Sequence, residues 1–519
     1  MTAALRPDAA PDELPNAAPA ASDAPLARAA AAYRAAVPAG FERYEFPLHA
    51  LDRLGVPVFY AAAFTPDAVA LTGVGYGDTE LLARASALGE MTETVSTYAA
   101  FRTLPRRRGS YAELQRRGVP ALDPLKCRLP VGTDYTPERP LDWVEAARWP
   151  DGARRWVPLE YAATNGGDTG PFDWLFTPIT NGMGAGDTVE RAMAHGLLEL
   201  VQRDGNSLGY RALDQGVALD LDAVADPVVR ELRARLDREG IDVLPKLAST
   251  AFGMANVYVV GAERDPARAP HPVMLTACGE AAHPDRERAL RKAMLEFCSS
   301  RVRKRFAHDR WEAVAPLVPP GYRTRVEADP PGWDDEPRAM AAMRELMDAG
   351  PAAVVDLLRD PVLSARRRVA FSSLPTVAPG ALDDPAALLA DVAARLAAEG
   401  LEVWYVDVTP AGSPARAVKV LVPELEVEGM SYHRVGPRGV RLLVARGDGL
   451  AGVGAPPPGA RPVPMTAGDE AALGGPAWFH VGEAERRLGR LYALYREPGE
   501  HVLAFAGGAA GGPAVTGAR

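Results

Sequence analysis

Three helix-length segments whose carboxylates stand off their apolar stripes constrain this chain more than any other feature. From Leu81 to Phe101 the stripe runs Leu81, Ala85, Leu88, Met91 and Val95, while Ser86, Glu90 and Glu93 fall on another face, as the helical period dictates. A second stripe, Val189, Met193, Leu197 and Leu200, leaves His195, Glu199, Gln202 and Arg203 around its opposite side. In the third segment Leu290, Met294 and Phe297 face inward, and Lys292 and Glu296 are one helical turn apart. Glu90, Glu199 and Glu296 each sit two positions after a stripe residue, about 200° around the helix. Taken singly, each polar face reads as solvated surface, and Lys292 with Glu296 as an i,i+4 pair worth about 0.2–0.5 kcal/mol. Taken together they suit magnesium, which accepts oxygen ligands in a tight octahedron and bridges carboxylates to phosphates. Spacing alone leaves both readings open.

The texture between these helices is that of an α/β protein. Val56-Pro-Val-Phe-Tyr reads as a buried strand, followed by a glycine-rich turn, Gly73-Val-Gly-Tyr-Gly-Asp, next to the first helix. A second strand pattern, Trp156-Val-Pro-Leu-Glu-Tyr, is followed further on by the polar, glycine-rich Thr180-Asn-Gly-Met-Gly-Ala-Gly-Asp-Thr, where Asp187 or Thr188 can cap the next helix. The expected architecture is mixed β-sheets flanked by helices. Leu232 to Val243 and Val392 to Val403 both run helix, glycine stop and strand, which hints at an internal pseudo-repeat. Residues 1–40, rich in Ala and Pro, read as a disordered arm, 41–505 as one domain with a Gly/Pro-rich loop at about 447–474, and 506–519 as a disordered tail.

Composition narrows the partners. A net charge of −9 lacks the clustered positive field of a nucleic-acid surface. The longest apolar stretch, Val56 to Ala70, is broken by Pro57, Pro66 and Asp67 and falls short of the roughly 20 residues of a membrane span. The start has no signal-peptide pattern. The three cysteines, Cys127, Cys278 and Cys298, have neither disulfide-framework nor zinc spacing. A cytoplasmic protein is expected.

Ser86-Ala-Leu-Gly-Glu90-Met-Thr-Glu93 resembles the first ATP-binding motif of the YcaO family. Asn181-Gly-Met-Gly-Ala-Gly-Asp-Thr with Ala192-Met-Ala-His-Gly-Leu-Leu-Glu199-Leu-Val-Gln-Arg203-Asp resembles the second, and His283-Pro-Asp-Arg-Glu-Arg-Ala-Leu-Arg-Lys292-Ala-Met-Leu-Glu296 the third. The likeness runs from about Leu48 to Arg441 and includes Leu51-Asp-Arg-Leu-Gly-Val-Pro-Val and Val422-Pro-Glu-Leu-Glu-Val. It implies a YcaO-type α/β fold and an enzyme that uses ATP and Mg2+ to activate a backbone amide of a ribosomally made precursor peptide. In that chemistry a nucleophile adds to the amide carbonyl, the oxyanion takes the γ-phosphoryl group, and phosphate leaves. The product is an azoline, a thioamide or an amidine. Catalysis then rests on positioning and charge neutralisation.

Carried onto matching positions, Glu90, Glu199 and Glu296 would hold the metal. Ser86, Glu93, His195, Gln202, Arg203 and Lys292 would line the nucleotide. Gln202 stands where the family usually has a second glutamate, and an amide oxygen is a weaker ligand for a hard cation. Thr94 and Lys292 replace common arginines, and Tyr76 a lysine. Gln202 therefore separates two readings, an active enzyme and a non-catalytic accessory protein that binds a peptide or partner enzyme. The chain ends Gly511 to Arg519 without the Pro-x-Pro-x-Pro tail common in azoline-forming members, which favours thioamide or amidine formation. The short stretch before Leu48 points to a separate leader-binding or sulfur-delivery partner protein, and a homodimer is compatible with everything above.

Other candidates carry less. Ser86 and Ser96 lack a Gly-x-Ser-x-Gly elbow, and Cys298 falls on the buried side of its helix. His433 lies in the polar Ser431-Tyr-His-Arg-Val-Gly-Pro-Arg438 segment. Pro105-Arg-Arg-Arg108 reads as a basic cap at the end of the first helix.

Overall fold

The computed structural model describes residues 23–505 apart from 170–173, 176, 210, 270–271 and 332–336. Strands β1 (Glu42–Pro47), β2 (Val58–Phe64) and β3 (Ala70–Tyr76) form an antiparallel sheet in that order. Every residue of β2 is buried, as its apolar run requires. A six-stranded sheet holds β4 (Arg107–Ser110), β5 (Pro140–Arg148), β6 (Arg154–Pro158), β7 (Met183–Gly186), β13 (Trp404–Asp407) and β14 (Arg416–Leu421), ordered β4-β5-β13-β14-β7 with β6 beside β5. A five-stranded sheet is ordered β11-β10-β9-β8-β12, from β8 (Val217–Asp220), β9 (Ile241–Ser249), β10 (Ala255–Glu263), β11 (Thr276–His283) and β12 (Arg367–Ala370). Its last pair, β8 and β12, is parallel.

Helices α1 (Ala24–Ala36), α2 (Glu80–Ala100), α3 (Val189–Ser207), α4 (Pro227–Arg238), α5 (Arg286–His308) and α6 (Pro385–Ala398) cover these sheets. The three acidic segments are α2, α3 and α5. Each follows the last strand of an antiparallel run: β1-β2-β3 before α2, β13-β14-β7 at α3, and β9-β10-β11 before α5. Their stripes are buried as expected, with Leu88, Met91 and Val95, then Met193 and Leu197, then Leu290, Met294 and Phe297 all in the core. Thr79, Thr188 and Asp285 cap them, each accepting a backbone N–H in the first turn.

Glycine explains the closeness of helix to strand. A Cβ at Gly75 would lie 2.0 Å from the amide nitrogen of Ala87, one at Gly184 1.9 Å from the carbonyl of Ala192, and one at Gly279 2.1 Å from the carbonyl of Ala293. Any side chain there would push the helix off its strand. This corrects the turn expected at Gly73–Gly77: most of that segment is strand β3, and the glycine-rich Thr180–Thr188 stretch likewise contains β7.

Two expected irregular segments are structured. Within the arm assigned to residues 1–40, Ala24–Ala36 form α1; Ala30, Tyr33 and Ala36 are buried, and Arg34 pairs with Glu45 at 2.7 Å. The remainder of that arm before Asp23, and the expected tail 506–519, lie outside the described residues. The loop expected over 447–474 contributes β15 (Ala451–Val453), β16 (Arg461–Pro462) and helix α7 (Ala467–Leu473). The two strands flank β17 (Ala477–Phe479). Of the two segments that hinted at a repeat, Leu232 to Val243 runs from α4 through positive-φ Gly240 into β9, whereas Val392 to Val403 runs from α6 through positive-φ Gly400 and ends just before β13, in a different sheet; a duplication is not shown.

A buried ion network joins the first sheet to the third. Arg301 of α5 binds Asp52 and Glu263, each at 2.8 Å, and Arg53 reaches the second oxygen of Glu263 at 2.6 Å. The Asp-Arg pair of the Leu51–Val58 motif thus serves as an internal tie. Among the described residues, no helix is long and apolar enough to cross a membrane.

Candidate functional site

The three motif glutamates are held in the same way. Glu90 Oε2 accepts from the backbone N–H of Val74 at 3.1 Å, Glu199 Oε2 from Gly182 at 2.9 Å, and Glu296 Oε2 from Glu280 at 3.0 Å. In each case the donor belongs to the strand under the helix or to the residue just before it. One carboxylate oxygen is therefore fixed to the sheet. Among the described residues, Oε1 of Glu90 and of Glu296 takes no hydrogen bond, while Oε1 of Glu199 faces Arg203 Nη2 at 3.4 Å.

Electrostatics brings these groups into one neighbourhood. Glu90, His195 and Arg303 reach solvent, yet the protein packed around each of them desolvates its charge. Loss of solvent pushes the Glu90 carboxyl above its usual range, an effect that Arg303 and the Val74 N–H oppose and Glu199 reinforces. Glu93 is driven well above the carboxylate range by burial and then by the charges of Glu90 and Glu199. Burial raises Glu296 too, with Glu280 adding repulsion and Lys292 countering it. His195 is pushed down to about 4 by burial and then by Lys292, so it is neutral at physiological pH. Neighbouring carboxylates that repel one another are the arrangement that a divalent cation relieves.

Glu90, Glu93, His195, Glu199, Lys292 and Glu296 are thereby linked, and Arg203 joins through Glu199. Ser86 is exposed on the same helix as Glu90. Gln202 is different. It is buried, and its amide nitrogen points at Glu280 Oε2, 3.5 Å away. Among the described residues, no three His, Cys, Asp or Glu side chains are arranged to hold a metal ion unaided. The three carboxylates are hard oxygen donors on separate helices, a set that would suit magnesium if phosphate oxygens supplied further ligands.

Several residues at the site escaped sequence reasoning. Glu280 on β11 receives Asn206 Nδ2 at 2.6 Å and Arg203 Nη1 at 3.2 Å. Arg303, seven residues beyond Glu296 on α5, loses some solvation to the protein around it, but the charges of Glu90, Glu497 and Glu296 outweigh that loss and favour its cationic form. That spacing, two turns on one helical face, was a usable signal. Tyr76 donates its hydroxyl to Glu296 at 3.3 Å, giving the site a neutral donor in place of a cation. Thr94 Oγ1 lies 2.9 Å from the carbonyl of Met91 in its own helix and 3.3 Å from that of Thr72 on β3.

The remaining candidates have structural partners. Glu426 of the Val422–Val427 motif accepts from the amides of Gly436 and Gly439, both at 2.8 Å, and its own N–H fixes Asp204. His433 Nε2 lies 3.0 Å from Glu485. Arg106 donates to the carbonyls of Phe101 and Asp168, so the basic run does cap the first helix. Cys298 is buried, and desolvation pushes its thiol up to about 12.

The family described as "YcaO cyclodehydratase, ATP-ad Mg2+-binding" matches residues 74–426, well over half of the chain, and all three motifs lie inside that span. The chain belongs to the YcaO family. An uncharacterized protein of Methanothermobacter thermautotrophicus is 27% identical over 394 residues, covering 75% of this chain and 90% of its own. Among solved structures, a heterocyclase in complex with substrate and cofactor has a TM-score of 0.58 at 18% identity, covering 81% of this chain; the match spans only 55% of that longer chain. YcaO from Methanopyrus kandleri, bound with AMPPCP and Mg2+, has a TM-score of 0.51 at 21% identity, covering 79% of this chain and 91% of its own. These likenesses establish a shared mixed α/β fold.

Proposed function

We propose that this YcaO protein binds ATP and Mg2+ in the recess between α2, α3 and α5 and uses them to phosphorylate a backbone amide of a precursor peptide. The observation that carries this reading is the threefold anchoring of Glu90, Glu199 and Glu296. Each is fixed through one oxygen by a backbone amide of its supporting strand or of the residue just before it, and each comes from a different helix. Carboxylates held in this way would offer magnesium oxygen ligands that need little reorganisation at the moment of reaction.

The chain's own groups divide the work. Glu90, Glu199 and Glu296 take the metal, which when bound neutralises the phosphate charge. Arg203 offers a planar fork to phosphate oxygens, and Lys292 and Arg303 add point and delocalised charge. Neutral His195 donates or accepts a hydrogen bond without setting a positive charge beside the metal. Ser86 and Glu93 line the same hollow from α2. A nucleophile adds to the substrate amide, its oxyanion receives the γ-phosphoryl group, and phosphate departs with the former carbonyl oxygen.

The test pairs Mg·ATP binding by the purified full chain with mass spectrometry of precursor peptides made beside it in the native host. Loss of one water identifies an azoline, and exchange of oxygen for sulfur a thioamide. Replacement of oxygen by an amine nitrogen identifies an amidine. Glu90→Gln is expected to abolish the mass shift while the protein stays folded. ATP turnover no greater than background, with precursor and partner present, overturns the reading.

A further inference from the structure

Where α3 meets β11, three side chains of one helix face converge on a single carboxylate. Asn206 Nδ2 donates to Glu280 Oε2 at 2.6 Å, Arg203 Nη1 lies at 3.2 Å, and Gln202 Nε2 at 3.5 Å. Gly279 faces α5 so closely that a Cβ would meet its backbone, and side chains alternate along a strand. Glu280 accordingly projects away from α5 toward α3. Its backbone N–H meanwhile holds Glu296 of α5, so one residue touches both helices.

The consequence for Arg203 is geometric. Its Nη2 faces Glu199 and its Nη1 faces Glu280, and a planar guanidinium held at both prongs has one orientation. Gln202 is 4% exposed and Asn206 3%, so neither can trade this carboxylate for water. With Nδ2 committed to Glu280, Asn206 Oδ1 is left buried without a donor. A buried acceptor of this kind is costly until a partner arrives.

We infer that Glu280 is a positioning residue of the nucleotide site, holding on strand β11 the carboxylate that orients Arg203 from the side opposite Glu199 and requiring a neutral donor at position 202. The inference rests on the proposed Mg·ATP reading. A glutamate at 202 would set a second carboxylate against Glu280 with no added cation to offset it. Gln202 is thus the complement of Glu280, a donor to its carboxylate, and its place in the site does not depend on touching metal.

Charge transposition tests this. Mg·ATP affinity is measured by titration calorimetry on the full chain as wild type, Glu280→Gln, Gln202→Glu and the double variant, with thermal melting of each without ligand. Each single variant is expected to weaken binding at least tenfold, and the double variant to return within threefold of wild type, since acid and amide have exchanged places across the same contact. Single variants that bind as wild type, or a double variant no better than the singles, overturn the inference. Should Glu280→Gln not fold, Gln202→Glu carries the test, because it adds the competing charge without removing Glu280; unchanged affinity there overturns it equally. Wild-type protein that binds no Mg·ATP overturns the parent reading as well, whereas wild-type binding without the transposition pattern overturns only this one.

Discussion

The backbone amide of Gly182 donates to Glu199 across 2.9 Å, fixing a side chain of α3 to the residue just before its supporting strand. Glutamine preserves the acceptor and removes the charge. Glu199→Gln is therefore expected to unfold in urea within about 0.5 kcal/mol of wild type while losing Mg·ATP turnover. Glu199→Ala strips both and leaves the amide without its acceptor, costing about 1–3 kcal/mol of stability in addition. Paired urea melts and turnover assays on the two variants check the separation.

Gly75 faces the backbone of α2, and the atoms a Cβ would meet, 2.0 Å and 2.2 Å away, are the amide nitrogen of Ala87 and the carbonyl of Ala83. Backbone cannot swing aside as a side chain can. Gly75→Ala is expected to destabilise by about 3 kcal/mol or more and to reduce soluble yield, whereas alanine at Gly118, with positive φ but open space, pays only for its φ. Urea unfolding of both variants gives the comparison.

The same contact explains what the amino-acid sequence reveals and what it conceals. Amphipathic stripes are local, so α2 was expected over Leu81 to Phe101 and spans Glu80–Ala100. Strand β3 was hidden because Gly73 and Gly75, which argue against a strand locally, serve a helix that packs across them. In α1, alanine richness reads as disorder, although Ala30, Tyr33 and Ala36, three residues apart, are buried. At the site, the three glutamates could be read from family motifs, but Glu280 could not. It lies on a strand, and its meaning comes from Gln202, Arg203 and Asn206, which are more than seventy residues away in sequence.

Arg301, Asp52 and Glu263 form an ion network with fully or almost fully buried side chains. Burial alone would raise the Glu263 carboxyl, but hydrogen bonding from Arg53 and attraction from Arg301 outweigh it and hold the group below its ordinary range. A carboxyl lowered on folding stabilises the protein above its unfolded pKa, about 4.3, and that contribution is lost as pH falls through the folded value. Arg301→Met leaves two buried carboxylates short of their cation and is expected to cost about 3–5 kcal/mol at neutral pH. Its deficit relative to wild type shrinks on acidification below about pH 4, which urea melts across that range measure.

Lys419 on β14 is 1% exposed, and its Nζ donates to the carbonyl of Ile179. Burial is the chief cause that lowers it to about 7, with Glu199 and Asp168 pulling the other way. An unfolded lysine keeps its proton to about pH 10.4. Between those two values the unfolded chain binds the extra proton, so stability rises with pH, by up to about 1.4 kcal/mol per unit. Lys419→Met keeps the apolar stem and removes the titration. It is expected to be more stable than wild type at pH 7 and to show a flatter climb toward pH 9, measured by urea unfolding at intermediate steps. An identical slope in the two proteins would show that Lys419 keeps its proton in the fold.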